Sequence, residues 1–364
     1  MMLAIGLMSG TSRDGIDAAL IETDGEGAVR PVAFHAMPYG EGFRLRLAEA
    51  CQRAMAMNAP GFEPLIRSVE AELTELHVEA VADLLGRSGH VAGDIGVIGF
   101  HGHTVAHRPD RRWTWQIGDG AALAGAFGID VVADLRSADV KAGGQGAPLL
   151  PVYHRALAHE LAKPVAVLNL GGVANITAIG ADGELAAFDT GMASGLIDNW
   201  MQSHGAGGFD KGGATAAKGR VDERRLAQML ADPWFAAPPP KSIDREAFSI
   251  EAVRGLELED GAATLTAFSA AAVARGVQHL GVRPERIYVA GGGRHNATLM
   301  AMLAQRTGAD VRAVDELGWD GDALEAQGFA YMAVRSVKGL AISFPGTTGA
   351  PEPMTGGLLF RPAG

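Results

Sequence analysis

The 364 residues carry 42 acidic and 31 basic side chains, a formal net charge of −11, with 48% hydrophobic and 20% charged content. That length favours two domains over one core, and the apolar content excludes a disordered chain. The acidity argues against nucleic acid or an anionic membrane as partner, while a small anion could still be held by backbone amides. Cys51 is the one cysteine, so no intrachain disulfide can form. Neither a secretory leader nor a run of about 18 apolar residues is read, and a soluble, cytoplasmic protein is expected.

Residues 3–8 and 17–25 read as two strands joined by a small polar turn, within GLMSGTSRDGIDAAL (6–20). Residues 62–87 place apolar side chains three and four apart and predict a long helix. Residues 95–102 and 129–135 read as short buried strands, and RRWTWQIGDG (111–120) alternates like a half-buried one. The stretch 134–146, rich in glycine and charge, is the expected boundary between lobes and a candidate hinge. Residues 164–183 repeat the opening plan of strand, glycine turn, strand, and 184–195 continue as a third strand with Asp189 at its end. Residues 232–242 are a proline-rich loop, and 262–281 a helix with Gly281 as its stop. Residues 286–308 read as strand, triple glycine and helix, and 321–339 as a further helix. Alternating strands and helices, with two copies of one plan, predict an α/β fold of duplicated mixed-sheet domains.

The 50 glycines, about twice the usual share, cluster in short turns. Gly10, Ser12 and Gly15 with Ser9 and Thr11 could turn backbone N–H and hydroxyl donors toward a phosphate, or could simply make a hairpin turn. Gly171, Gly172 and Asn175 in LNLGGVANIT (168–177) offer the same chemistry and the same alternative; two such turns could clamp one polyphosphate. Gly291, Gly292 and Gly293 follow a strand, where bare backbone would let a flat ring approach. Neither the dinucleotide fingerprint nor a P-loop occurs. Asp189, at a strand end beside a glycine turn, is a candidate general base, with Asp14, Asp17, Asp134, Asp139 and Asp210 as rivals by residue type. His101, His103 and His107 could ligate zinc, but with no evident carboxylate or cysteine to complete a set they read better as hydrogen-bonding side chains of a cleft. G-x-x-S-G in place of G-x-S-x-G argues against a serine hydrolase.

Taken together, GLMSGTSRDGIDAAL, GFHGHTVAHRP, WQIGDG, VVADLRSADVKAGGQGAPLLPVYH, LNLGGVANIT, FDTGMASGLIDNW, FDKGGATAAKG, GGGRHNATLM and DALEAQGFAYMA, in this order, resemble the anhydro-N-acetylmuramic acid kinase family, of the actin, heat-shock-protein and sugar-kinase superfamily. The resemblance implies a two-lobed actin-like ATPase and sugar-kinase fold around an ATP cleft. Residues 1–135 with about 345–364 would form the N-terminal lobe, holding the first phosphate loop and part of the sugar site. Residues 136–344 would form the C-terminal lobe, with the other two loops and the catalytic carboxylate. It implies Asp189 as that carboxylate. For ATP it implies Gly10, Thr11, Ser12, Arg13, Asp14, Gly15, Ile16 and Asp17 in the first loop, Gly171, Gly172 and Asn175 in the second, and Gly291, Gly292 and Gly293 at the adenosine. Ser9, Thr11, Asp14, Arg136 and Glu325 are its sugar-side candidates; a guanidinium such as Arg136 could grip a carboxylate with two hydrogen bonds. Mg²⁺ would be bound mainly through the phosphates, and no protein metal site is expected. Arg13 stands where the family more often has Leu, and the residues after Asp189-Thr190-Gly191 and after Asp210-Lys211 also depart from the common pattern.

The implied reaction is ATP-dependent opening and phosphorylation of 1,6-anhydro-N-acetylmuramic acid, in peptidoglycan recycling and amino-sugar metabolism, by a cytoplasmic homodimer with no nucleic-acid or membrane partner. A kinase of an ordinary amino sugar, a non-catalytic nucleotide-gated protein on the same fold and a zinc hydrolase are the alternatives.

Overall fold

The computed structural model describes residues 1–10, 12–243 and 247–362. β1 (Met2–Ser9) and β2 (Gly15–Thr23) form an antiparallel hairpin, and β3 (Val29–Pro38) continues it. Two helices follow, α1 (Glu41–Met55) and α2 (Pro64–Ser88). Local chemistry sets the bounds of α2. Glu63 caps its start by accepting from the Ile66 amide at 2.8 Å, Pro64 opens it, and Gly89 ends it in the left-handed region at φ 74°. Phe62, expected inside the helix, lies before the cap and is exposed.

β4 (Val97–Arg108) runs parallel to β1 and is longer than the expected strand, because β5 (Trp113–Ile117) folds back and pairs with its second half. After α3 (Gly120–Phe127), β6 (Val131–Ala133) joins parallel to β4. The short helices α4 (Ser137–Ala142) and α5 (Pro151–Leu157) come next.

The second sheet repeats the plan. β7 (Val165–Leu170), β8 (Val173–Ile179) and β9 (Leu185–Met192) form an antiparallel meander, followed by α6 (Ser194–Ser203), α7 (Glu223–Leu230) and the buried helix α8 (Leu258–Gln278). α8 stops three residues before Gly281, the expected terminator. β10 (Arg286–Ala290) lies parallel to β7, α9 (Ala297–Thr307) is capped by Asn296 and ended by Gly308, and β11 (Asp310–Ala313) lies parallel to β10. The chain then contributes α10 (Leu324–Val337), α11 (Pro345–Thr348) and β12 (Leu358–Phe360), the last antiparallel to β6 in the first sheet.

Among the described residues the first sheet has the order β12-β6-β4-β1-β2-β3 with β5 on β4, and the second β11-β10-β7-β8-β9. The path 3-2-1-4-6 thus recurs as 9-8-7-10-11, the duplication expected from the two strand-turn-strand copies. The compact units are Met1–Glu160 with Ala323–Gly364, and Leu161–Asp322. The family resemblance implies divisions at 135/136 and about 344/345. They fall instead at 160/161 and 322/323, so residues 136–160 and 323–344 pack with the first unit. The stretch 134–146, expected to be the boundary and a hinge, accordingly lies inside the first unit. Its Asp139 is buried and accepts from Gly146 N at 2.7 Å and from the hydroxyls of Ser343 and Thr348, each at 2.5 Å.

α10 belongs to the first unit for a steric reason. Gly6 of β1 and Gly99 of β4 face each other in register, and a Cβ on them would stand 1.8 Å from Ala326 O and 2.1 Å from Phe329 O. Two bare positions let the helix backbone lie on the sheet, with Phe329, Tyr331 and Met332 fully buried; burying each such side chain is worth roughly 1.5–3 kcal/mol. Among the described residues no helix is long and apolar enough to cross a membrane.

Candidate active site

The first unit gathers the candidate sugar contacts. Ser9 ends β1 with its side chain buried; its Oγ accepts from the Tyr39 hydroxyl at 2.6 Å and pairs with His103 Nδ1 at 2.9 Å. Ser9 therefore ties β1 to β4. In the turn after it, the Arg13 amide donates to Gly10 O at 3.0 Å and Arg13 takes φ 57°, so this N–H serves the turn and not an outside anion. Exposed Ser12 donates to exposed Asp14 at 2.7 Å, and Tyr39 N donates to Asp14 O at 2.9 Å. Thr11 lies outside the described residues. Gly15 has its own local reason: a Cβ there would stand 2.4 Å from Met37 O of β3. Ile16 is fully buried, so a ligand could meet it only through backbone, and Asp17 pairs with Met8 and Ala36 across the sheet.

Arg136 donates through Nε to His101 Nε2 at 3.0 Å and through Nη1 to Gly146 O at 2.7 Å, with its guanidinium 6.0 Å from the Phe329 ring centre. A guanidinium only donates, so His101 Nε2 accepts and its Nδ1–H donates to Gly102 O at 2.9 Å. His101 is a neutral imidazole, held well below the usual histidine range by burial and by Arg136. Burial pulls Arg136 down to about 10, against the opposing charges of Glu325 and Asp139. Burial raises the Glu325 carboxyl, with Arg136 pulling it back and Asp14 pushing further. Glu325 thus feels the charges of two other expected sugar-side residues, Arg136 and Asp14, within one unit.

His103 and His107 are pushed to about 3 and about 4, chiefly by burial; His107 Nδ1 pairs with Thr114 Oγ1 at 2.9 Å. The three histidines are engaged with serine, threonine, backbone and arginine. Among the described residues no group of three or more His, Cys, Asp or Glu could hold a metal ion.

The second unit carries the other candidates. Asn169 of β7, Asn175 of β8 and Asp189 of β9 stand opposite one another in register, with Ala290 of β10 next to Asn169. This row of polar side chains crosses the sheet beside both glycine turns. Sequence reasoning missed Asn169, though it stands two residues before Gly171 in the same motif. The Gly171 and Gly172 carbonyls accept from the start of α6, at 2.9 Å from Ser194 N and 3.0 Å from Ala193 N, which fixes the turn. In the triple glycine, a Cβ on Gly291 would meet Asn169 Oδ1 at 2.5 Å and one on Gly293 would meet Leu170 Cβ at 2.6 Å, whereas Gly292 has nothing within 4 Å. Close packing on β7 thus explains two of these glycines, and only Gly292 borders open space. Buried Arg294 holds the loop by donating to Gly291 O at 3.1 Å, Asp315 at 2.9 Å and Asp322 at 2.8 Å.

Asp189 differs from its rivals in what its carboxylate meets. Those of Asp139 and Asp210 accept several structural hydrogen bonds; Asp210 takes Thr215 N at 2.8 Å and Ala216 N at 2.9 Å. Asp189 Oδ2 accepts from Ile243 N at 2.9 Å. Burial pushes its carboxyl up to about 7, opposed only in part by that amide. Such a group exchanges a proton near neutral pH, as a general base must.

The model of the anhydro-N-acetylmuramic acid kinase family matches residues 2–362. The anhydro-N-acetylmuramic acid kinase of Rhizorhabdus wittichii is 62% identical over 362 residues, covering 99% of both chains. That of Zymomonas mobilis is 54% identical over 362 residues, covering 98% of this chain and 99% of the relative. Among solved structures, component A of the (R)-2-hydroxyglutaryl-CoA dehydratase of Acidaminococcus fermentans superposes with a TM-score of 0.52 at 12% identity, over 93% of this chain and 100% of that one. The ADPNP-bound activator of the 2-hydroxyisocaproyl-CoA dehydratase of Clostridium difficile gives 0.50 at 14% identity, over 93% and 96%. These two likenesses concern the fold alone, a duplicated α/β architecture of two mixed sheets. By the length and identity of its matches, the chain belongs to the anhydro-N-acetylmuramic acid kinase family.

Proposed function

We propose that this kinase uses ATP to open the 1,6-anhydro ring of 1,6-anhydro-N-acetylmuramic acid hydrolytically and to phosphorylate O6, giving N-acetylmuramic acid 6-phosphate and ADP, within peptidoglycan recycling and amino-sugar catabolism. The observation that carries this reading is the Asp189 carboxyl at the end of a sheet row, raised to about 7 by burial. Asp189 takes a proton from water as the water oxygen bonds to C1 and the C1–O6 bond breaks, through a transition state of oxocarbenium character. The released O6 bonds to the γ-phosphorus of ATP while the bond to the ADP oxygen breaks. Phosphoryl transfer asks mainly for alignment and charge stabilisation. That is the work assigned to the turn of residues 10–17, to Gly171, Gly172 and Asn175, and to the loop of Gly291, Gly292 and Gly293. Arg136 would bind the lactyl carboxylate, with Glu325 and Asp14 beside it.

Mg²⁺ would neutralise phosphate charge. The ion would be carried mainly by the phosphates, with Asp14 and Asp17 of the first turn toward its water shell. The setting proposed is a cytoplasmic homodimer, checked by light scattering on the purified protein.

Isotope tracing tests the reaction. With ¹⁸O-water, ATP and the anhydro sugar, the expected product carries the label at C1 in step with ADP release. Phosphorylation without that label, or faster ADP release with reducing N-acetylmuramic acid, would replace ring opening by an ordinary sugar-kinase reaction.

A further inference from the structure

β9 is an edge strand of the second sheet, and the backbone that meets its outer side at Asp189 comes from the proline-rich stretch expected to be a plain loop. Asp189 N donates to Lys241 O at 3.0 Å, and two residues on Ile243 N donates to the Asp189 carboxylate at 2.9 Å. Pro238, Pro239 and Pro240 lack an N–H and restrict φ, so Lys241 follows a stiff lead.

The stretch is closed on itself. The Lys241 ammonium lies 4.3 Å from the Trp234 ring centre and donates to Trp234 O at 3.1 Å and Phe235 O at 3.4 Å. Trp234 Nε1 donates to Ser242 O at 3.4 Å. Asp232 caps the turn by accepting from Trp234 N at 2.9 Å, and His279, beyond the end of α8, donates through Nε2 to Phe235 O at 3.0 Å. Phe235 is buried against Phe248 and Phe268. One end of the loop is thus anchored in the core, and the other is clasped so that it delivers a single amide to Asp189.

We infer that the Trp234–Lys241 clasp is a positioning device that holds the Ile243 amide on the Asp189 carboxylate. This rests on Asp189 being the base. Neither clasp side chain touches the carboxylate; both act through backbone. A hydrogen bond from an amide favours the ionised acid, so a loosened clasp leaves Asp189 harder to ionise. Burial and this amide are the causes acting on Asp189 among the described residues, and Asn175 is its neutral neighbour across the sheet. Lys241 and His279 are the titratable groups of the clasp itself, and burial draws the Lys241 ammonium below its usual range.

The test is the pH profile of kcat for the full-length enzyme with ATP and the anhydro sugar. Lys241→Met should move the acid limb to higher pH by about half a unit or more, lowering kcat about threefold or more below the limb, with the KM for ATP little changed. Lys241→Arg, which keeps the cation over the ring, should bring the limb back. Trp234→Phe, a milder change, should shift it less in the same direction and stands in if Lys241→Met does not fold. An unmoved acid limb in Lys241→Met, or in Trp234→Phe where that variant stands in, overturns the inference, as does a Lys241→Arg limb displaced as far as that of Lys241→Met. Asp189→Asn separates the two claims. If it retains turnover, the base assignment fails. If it is inactive while the clasp variants keep their acid limb, only the clasp fails.

Discussion

The two sheets share a path and differ in which ionisable groups they bury. The first unit buries neutral imidazoles, His77, His101, His103, His107 and His154, all pushed down by burial, beside a raised carboxyl, Glu325, that Arg136 pulls back. The second holds one carboxyl pushed up to about 7, that of Asp189. Their hairpin turns differ as well. The first is closed by the Arg13 amide on Gly10 O, with Ser12 and Asp14 exposed, while Gly171 and Gly172 make a turn pinned by α6. The strand path is shared and the chemistry is divided, with the proposed sugar contacts in one copy and the proposed proton acceptor in the other.

The sharpest way to break this contrast is Asp189→Asn, expected to lower kcat by a factor of about 10² to 10⁴ in a protein that still folds and binds ATP. Near-normal turnover, with circular dichroism unchanged, would remove the carboxylate from the chemistry. Next in size are the bare positions under α10. Gly6→Ala should destabilise by about 3 kcal/mol or fail to fold, since the new methyl meets helix backbone that cannot move aside. Gly10→Ala, whose nearest neighbour is the Ser12 hydroxyl at 3.4 Å, should change stability by about 0.5 kcal/mol or less. Urea unfolding of both variants measures the difference.

The pH response comes third, with opposite signs for the histidines of the first unit and for Asp189 of the second. A histidine at 6.5 when unfolded and about 4 when folded binds its proton more readily in the unfolded chain. The first unit should therefore lose stability as pH falls from about 6.5 toward 4. A carboxyl at 3.8 when unfolded and about 7 when folded keeps its proton longer in the folded chain. Asp189 therefore costs the second unit stability as pH rises through that window, and the full cost persists above 7. Hydrogen exchange at pH 5 and pH 8 should show β4 peptides losing protection at the lower pH. Asp189→Asn should melt higher than the parent at pH 8 by more than at pH 4. Smallest is the triple glycine: Gly292→Ala should cost about 0.5 kcal/mol or less, and Gly293→Ala more, because its methyl strikes Leu170.

Much of this was readable in advance, because it depends on neighbours in sequence. Strand, small turn and strand recur at 3–25 and 164–183, and both hairpins formed. Asp189 was singled out as a strand end beside a glycine turn, although β9 runs on past it to Met192. What escaped depends on distant contacts. Composition made 134–146 look like a boundary between lobes and a hinge, but Asp139 is satisfied by Ser343 and Thr348 from the far end of the chain. Gly291 and Gly293 looked like ligand-approach positions, yet the neighbour that requires them is β7, some 120 residues away in sequence. The loop at 232–242 showed prolines and no periodicity, so its pairing with the edge of β9 had no local signal.

That α10 and β12 belong to the first unit has a consequence for biosynthesis. A ribosome making this chain releases the whole of residues 161–322 before the segment that finishes the other unit. The second unit can condense early, whereas the nascent N-terminal sheet waits with Gly6 and Gly99 uncovered until 324–337 emerges. A chain stalled or cut short of residue 323 would therefore leave a finished second unit attached to an unroofed N-terminal sheet, the kind of surface that chaperones hold and proteases clear.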